Sequence, residues 1–171
     1  MVFVEMDGLC GRIGFVGSGM YSRSVHSDQS GSFFFVTSKQ RPYRVAFIED
    51  HLFYEYGIYQ YCLDTEVHAE ADGHVYEVVV ALMEEFFKSS AKGLLYICDS
   101  MDGRQAARNR LFNRWFNTYA DKDKYLLLQR EVPYEGELQY ISLIVRKDHP
   151  EVQPITASFD RVLSDLEYAY K

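Results

Sequence analysis

Two β-rich runs, Phe33-Phe34-Phe35-Val36-Thr37 and Tyr43 to Ile48, flank Lys39-Gln40-Arg41-Pro42, a pattern that predicts a hairpin. A third run extends from Phe53 to about Val67, with Gly57 as a bulge. The period then changes. Val75, Val78, Val79, Leu82, Met83 and Phe86 fall at i, i+3, i+4, i+7, i+8 and i+11, the stripe of an amphipathic helix that Gly93 stops. Leu94 to Cys98 is a short apolar strand, and a second helix follows from about Arg104 to Thr118, with Asp102 and Gln105 spaced as a capping box. Tyr125 to Val132 and Leu138 to Arg146 predict another hairpin around Pro133-Tyr134-Glu135-Gly136. After Pro150 and Pro154 a last helix carries Phe159, Val162, Leu163 and Leu166.

The implied fold class is α+β: a mixed, largely antiparallel sheet of about six strands with flanking helices, in the order βββαβαββ plus a C-terminal helix. A strand, a helix and a further strand in succession require a right-handed parallel crossover, while the hairpins add antiparallel edges. Leu82, Phe86, Leu95, Ile97, Leu111, Trp115, Leu127, Ile141, Leu143 and Leu163 are the expected core. Residues 1–31, with glycine at 8, 11, 14, 17, 19 and 31, read as a poorly ordered Gly/Ser-rich leader with one short strand at Val2 to Glu5. Residues 32–171 read as one domain. Glycine-rich turns also cradle phosphates, but no strong strand precedes these glycines and no helical period follows them.

Composition narrows the class. With 47% hydrophobic and 16% aromatic residues among 171, the chain has the material for a folded core. No window approaches 18 apolar residues and no signal-peptide pattern opens the chain, so a soluble, cytoplasmic protein without membrane contact is expected. Cys10, Cys62 and Cys98 are far apart and odd in number, which argues for reduced thiols. No GxSxG, HExxH or P-loop pattern occurs.

The element order from Phe33 to Arg146 resembles that of the GNAT acyltransferase superfamily, in which a parallel strand pair splays apart to hold acyl-coenzyme A. That resemblance implies an acyl-CoA-dependent N-acyltransferase with acetyl-CoA as cofactor and Glu66 as the catalytic base. Such enzymes place a Q/R-x-x-G-x-G/A loop before the first of these helices. Here the segment is Glu66-Val67-His68-Ala69-Glu70-Ala71-Asp72-Gly73-His74, whose carboxylates repel phosphate where glycine amides would cradle it. The tyrosine that often serves these enzymes as general acid falls nearest Phe112, which has no proton to give. At the level of residues, the stretch from Tyr96-Ile97-Cys98-Asp99-Ser100-Met101-Asp102-Gly103-Arg104 to Asn113-Arg114-Trp115-Phe116 resembles the signature of a bacterial family, domain of unknown function 6169. The hairpin from Ser32 to Ile48 and the Asp148-His149-Pro150 turn fit it too, and the resemblance spans Ser32 to the C-terminus. It implies no activity.

Two segments carry candidate chemistry. Asp64, Glu66, His68, Glu70, Asp72 and His74 recur at every second position, so an extended chain presents them on one face. Asp64, Glu66 and His68 are candidate ligands for a divalent metal, and a solvated strand edge gives the same pattern. The second segment is the strand-to-helix turn from Asp99 to Arg108. At 100° per residue, Arg104 and Arg108 project within the stripe of Ala107, Leu111, Phe112, Trp115 and Phe116, so both guanidiniums are expected toward the core. Buried guanidinium must be paired, with Asp99 and Asp102 nearest and the acidic 64–72 segment next. The same residues, with the amides beside Gly103, can instead form a site for phosphate or carboxylate. Arg110, Asn113, Arg114 and Asn117 fall on the opposite, polar face.

The formal charge of −7 is unevenly spread: residues 45–87 hold ten acids and no Lys or Arg, whereas 104–130 hold seven basic residues against Asp121 and Asp123. The acidic balance weighs against nucleic acid as a partner. The leading expectation is therefore a non-catalytic binding or regulatory module without a cofactor, in which the Asp99–Arg108 turn is the candidate anion site and a protein is one possible partner. The alternative is a divergent GNAT-like acyltransferase.

Overall fold

The computed structural model describes residues 4–5, 12–15, 25–27, 32–36, 42–49, 58–64, 75–89, 93–98 and 102–169. The protein is α+β, with strands β1 (Val4–Glu5), β2 (Arg12–Phe15), β3 (Val25–Ser27), β4 (Ser32–Val36), β5 (Pro42–Glu49) and β6 (Ile58–Asp64), then helix α1 (Val75–Ser89). Strand β7 (Gly93–Cys98), helix α2 (Gln105–Tyr119), strands β8 (Tyr125–Tyr134) and β9 (Glu137–Arg146) and helix α3 (Val152–Ala169) complete it. From β4 onward the succession of strands and helices is the expected one. The expected single sheet of about six strands is not: nine strands are described, divided between two compact units formed by residues 1–48 with 61–90 and by residues 49–60 with 91–171. Three of the strands lie within residues 1–31, where glycine spacing hides an alternating pattern too short to stand out.

In the first unit β1 to β5 pair in antiparallel succession. Side chains that point to one face of β4 and β5 meet as aromatic pairs: Phe35 stacks on its register partner Tyr43 at 5.4 Å, and Phe33 meets Phe47 edge-on at 5.8 Å. Phe47 stacks in turn on Phe86 of α1 at 5.0 Å. The helical stripe is buried as its period requires, with Val75, Val78, Val79, Leu82, Phe86 and Phe87 all inside.

In the second unit the first residues of β6 run parallel to β7 (Ile58↔Gly93, Tyr59↔Leu94, Gln60↔Leu95), β7 pairs antiparallel with β9, and β9 with β8. Alternation gives each strand two faces. One face carries Leu95, Leu143, Val145, Val132 and Ile141, and α3 covers it with Ile155, Phe159 and Leu163 to form a closed apolar cluster. α3 packs over β8 and β9, so Ile97, two residues beyond Leu95, is 39% exposed rather than core. Leu111, Trp115 and Leu127 are likewise half-buried, while Leu82, Phe86, Leu95, Ile141, Leu143 and Leu163 are core as expected.

The β8–β9 hairpin closes on two residues, Glu135 (φ 50°) and Gly136 (φ 81°). Two positive φ angles in a two-residue loop match the right-handed twist of the strands it joins. Pro133 stands in β8, opposite Leu138, rather than in the turn. β8 is the outer strand of its unit, where a missing N–H costs least. Similarly, Pro154 lies in the first turn of α3, where an amide would have no helical acceptor. Just before that helix stands His149, whose Nδ1 accepts the Glu151 N–H (3.0 Å) and whose carbonyl accepts that of Val152 (3.1 Å). No helix among the described residues is long and apolar enough to cross a membrane.

Candidate functional site

Gly103 adopts φ 69°, a conformation that glycine takes without steric cost, and turns the chain into α2. The bend brings Asp102 back over the helix start. Its Oδ1 accepts the Arg104 backbone N–H (3.1 Å) and one guanidinium nitrogen of Arg108 (2.7 Å), and its Oδ2 accepts the other (2.7 Å). Both oxygens of one carboxylate thus sit on a parallel guanidinium fork at the positive end of a helix, the geometry that recognises anions. The Arg108 hydrogen bonds hold the Asp102 carboxyl at about 2, below its ordinary 3.8, with the Arg104 amide adding to the effect.

The capping box is not formed. Asp102 lies two residues before Arg104, the N-cap, and Gln105 reaches forward to Glu137 Oε2 (3.3 Å) instead of back. Nor are the arginines core: Arg104 is exposed, and the Arg108 and Asp102 side chains are 36% and 42% exposed. α2 is rotated from the orientation its apolar residues suggest. Gln105 is buried, and Asn109, Phe112 and Asn113 share its arc against the sheet, whereas Ala107, Arg110, Arg114 and Asn117 are exposed. The reason lies in the strands beneath. Tyr96, Ser142 and Gln129 are register partners across β7, β9 and β8, a polar row on the face opposite the α3 cluster. The Gln129 amide donates to Asn109 Oδ1 (3.4 Å), to Ser142 Oγ (3.2 Å) and to Asn113 Oδ1, and Asn113 donates to Asn109 (3.4 Å). A polar row in the sheet draws polar residues of the helix inward, and the arginines turn out.

Next in this layer is the Tyr96 ring, tilted on Phe112 at 5.1 Å. Its hydroxyl lies beside Ser142 and Gln129 but makes no hydrogen bond of normal geometry with either, and burial pushes it up to about 12. Burial likewise pushes the Cys98 thiol up to about 11, with the charge of Arg108 pulling the other way. Burial therefore favours the neutral thiol of Cys98 at physiological pH over the thiolate. Gln105 Oε1 is buried without a donor among the described residues.

Of the expected site residues, Asp102, Gly103, Arg104 and Arg108 come together at the turn, while Asp99 lies outside the described residues. Glu66 and His68 lie outside them too, as does the side chain of Asp64, which ends β6. Among the described residues no group of three or more metal-ligating side chains occurs. Sequence reasoning missed the layer of Tyr96, Gln105, Asn109, Asn113, Gln129 and Ser142. Its signal was the polar residue in each apolar strand, Gln129 after Leu126-Leu127-Leu128 and Ser142 between Ile141 and Leu143.

No curated protein and no solved structure matches the chain. A family model described as a family of unknown function (DUF6169) matches residues 71–161, more than half of the chain and the stretch that holds the turn, α2 and the polar layer beneath it. The chain belongs to that family.

Proposed function

We propose that the protein is a non-catalytic binding module whose ligand site is the turn from Asp102 to Arg108, and that the ligand presents a carboxylate or phosphate. One observation carries the reading: the turn already grips a carboxylate, Asp102, through a guanidinium fork and a helix-start amide, and does so open to solvent. Asp102 acts as a resident anion. A ligand with the same charge and geometry displaces it and inherits Arg108 and the amide of Arg104, while the exposed Arg104 side chain adds a second cation. An exposed ion pair holds its partner weakly enough to exchange.

Titration calorimetry with inorganic sulfate tests this. Asp102→Asn removes the competing charge and is expected to bind sulfate several-fold more tightly than the wild type, whereas Arg108→Ala abolishes binding. Equal binding by all three proteins, or none by Asp102→Asn, overturns the reading.

The acyltransferase reading draws support from the parallel pairing of β6 with β7 around the α1 crossover. Acetyl-CoA at 100 times its dissociation constant would then add about 2.7 kcal/mol, or roughly 5 to 10 °C in unfolding temperature. Absence of any shift removes this alternative.

A further inference from the structure

The outward face of α2 carries charge of one sign only. From Gln105 to Tyr119 the helix contains no acidic residue. Arg110 and Arg114 stand one turn apart on its exposed side, and their side chains hold no ion pair or hydrogen bond among the described residues. Several other cations in the described residues are engaged: Arg108 by Asp102, Arg130 by Asp160, Arg146 by Asp148 and Lys88 by Glu85. Two like charges at i and i+4 repel and weaken a helix. Neither arginine lies in the last turn, where the helix dipole would favour it. The two charges therefore do nothing for their own helix.

We infer that this face docks an acidic segment of a protein partner, with Arg110 and Arg114 each meeting a carboxylate. The two Cα atoms are about 6 Å apart along the axis, the same rise that separates carboxylates at i and i+4 on a facing helix. Ala107 and Asn117, both exposed, flank the arginines with little bulk, so a partner backbone can approach. Charge complementarity selects a short acidic segment over nucleic acid. A polyanion would feel the whole field of a chain with net charge −7, whereas two carboxylates feel the local pair. The surface is separate from the Asp102–Arg108 turn and does not rest on that site's ligand.

Fluorescence anisotropy decides it, with a labelled helical peptide carrying Glu at i and i+4, the same peptide with Lys in place of Glu, and a labelled duplex DNA. The wild type is expected to bind the Glu peptide, more weakly as salt rises, and to ignore the Lys peptide. Arg110→Glu with Arg114→Glu is expected to weaken binding at least about five-fold, the combined effect of two exposed ion pairs with their sign reversed. The alanine pair should fall between. Arg161→Glu, a reversal at an exposed arginine of α3, serves as a control and should bind as the wild type does. Equal affinity in wild type and double reversal, no binding of the Glu peptide by the wild type, or tighter binding of the duplex through the same arginines each overturns the proposal. Circular dichroism of both double variants separates lost binding from lost fold.

Discussion

Replacing Phe159 by alanine is expected to lower stability by about 3 to 5 kcal/mol, the usual cost of emptying a large aromatic from a core. Phe159 is fully buried on α3, in the cluster with Leu143, Val145, Ile155 and Leu163. Those neighbours are all apolar, so the cavity stays dry and its lining loses contacts. At roughly 2 to 4 °C per kcal/mol for a chain of this size, unfolding should begin about 6 to 20 °C lower. Ile97→Ala, at an exposed position on the same face, should cost well under half as much. Urea unfolding of both variants measures this, and a Phe159→Ala loss below about 1 kcal/mol would mean that α3 does not close the second unit.

Alkaline pH is expected to destabilise the protein through Tyr96 and Cys98. Burial raises the tyrosine from 10.0 to about 12 and the thiol from 9.0 to about 11. Both are neutral when protonated, and both give up their protons earlier in the unfolded chain. Their contribution is fully present below about pH 9 and is lost as pH climbs through the window from about 9 to about 12. A rise of this size corresponds to about 2 to 3 kcal/mol for each group once ionisation is complete. Tyr96→Phe removes one source while keeping the ring on Phe112, and because the hydroxyl makes no hydrogen bond of normal geometry, the change should be nearly neutral at pH 7. Urea midpoints followed from about pH 8 to about pH 11 should fall less steeply in Tyr96→Phe than in wild type. Parallel lines would place the hydroxyl in contact with water.

Periodicity made most of the element order legible, because the helical stripe of α1 and the apolar strands β7 and β9 each bury one continuous face. The orientation of α2 was not legible. Its large residues, Leu111, Phe112, Trp115 and Phe116, point to one arc, but the polar row of Tyr96, Ser142 and Gln129 comes from three strands distant in sequence and recruits Asn109 and Asn113. The partner of Arg108 was readable from proximity, since Asp102 is the near carboxylate. Its exposure was not, because that depends on the rotation of the helix. Glycine at 136 marks the β8–β9 turn, whereas Glu135 at positive φ is a choice that the strand register imposes.

The carboxyl resonance of Asp102, followed by carbon NMR as pH falls from about 6, tests the anion site most directly. The linkage has a definite sign: a depressed carboxyl stabilises the folded chain above its ordinary 3.8, and that contribution is lost as pH falls toward about 2. The expected midpoint is about 2 in the wild type, higher in Arg108→Ala, where only Arg104 still lowers it, and shifted up toward 3.8 in the wild type when sulfate takes the arginine away. A wild-type midpoint already near 3.8, or one that sulfate leaves unchanged, would contradict the account.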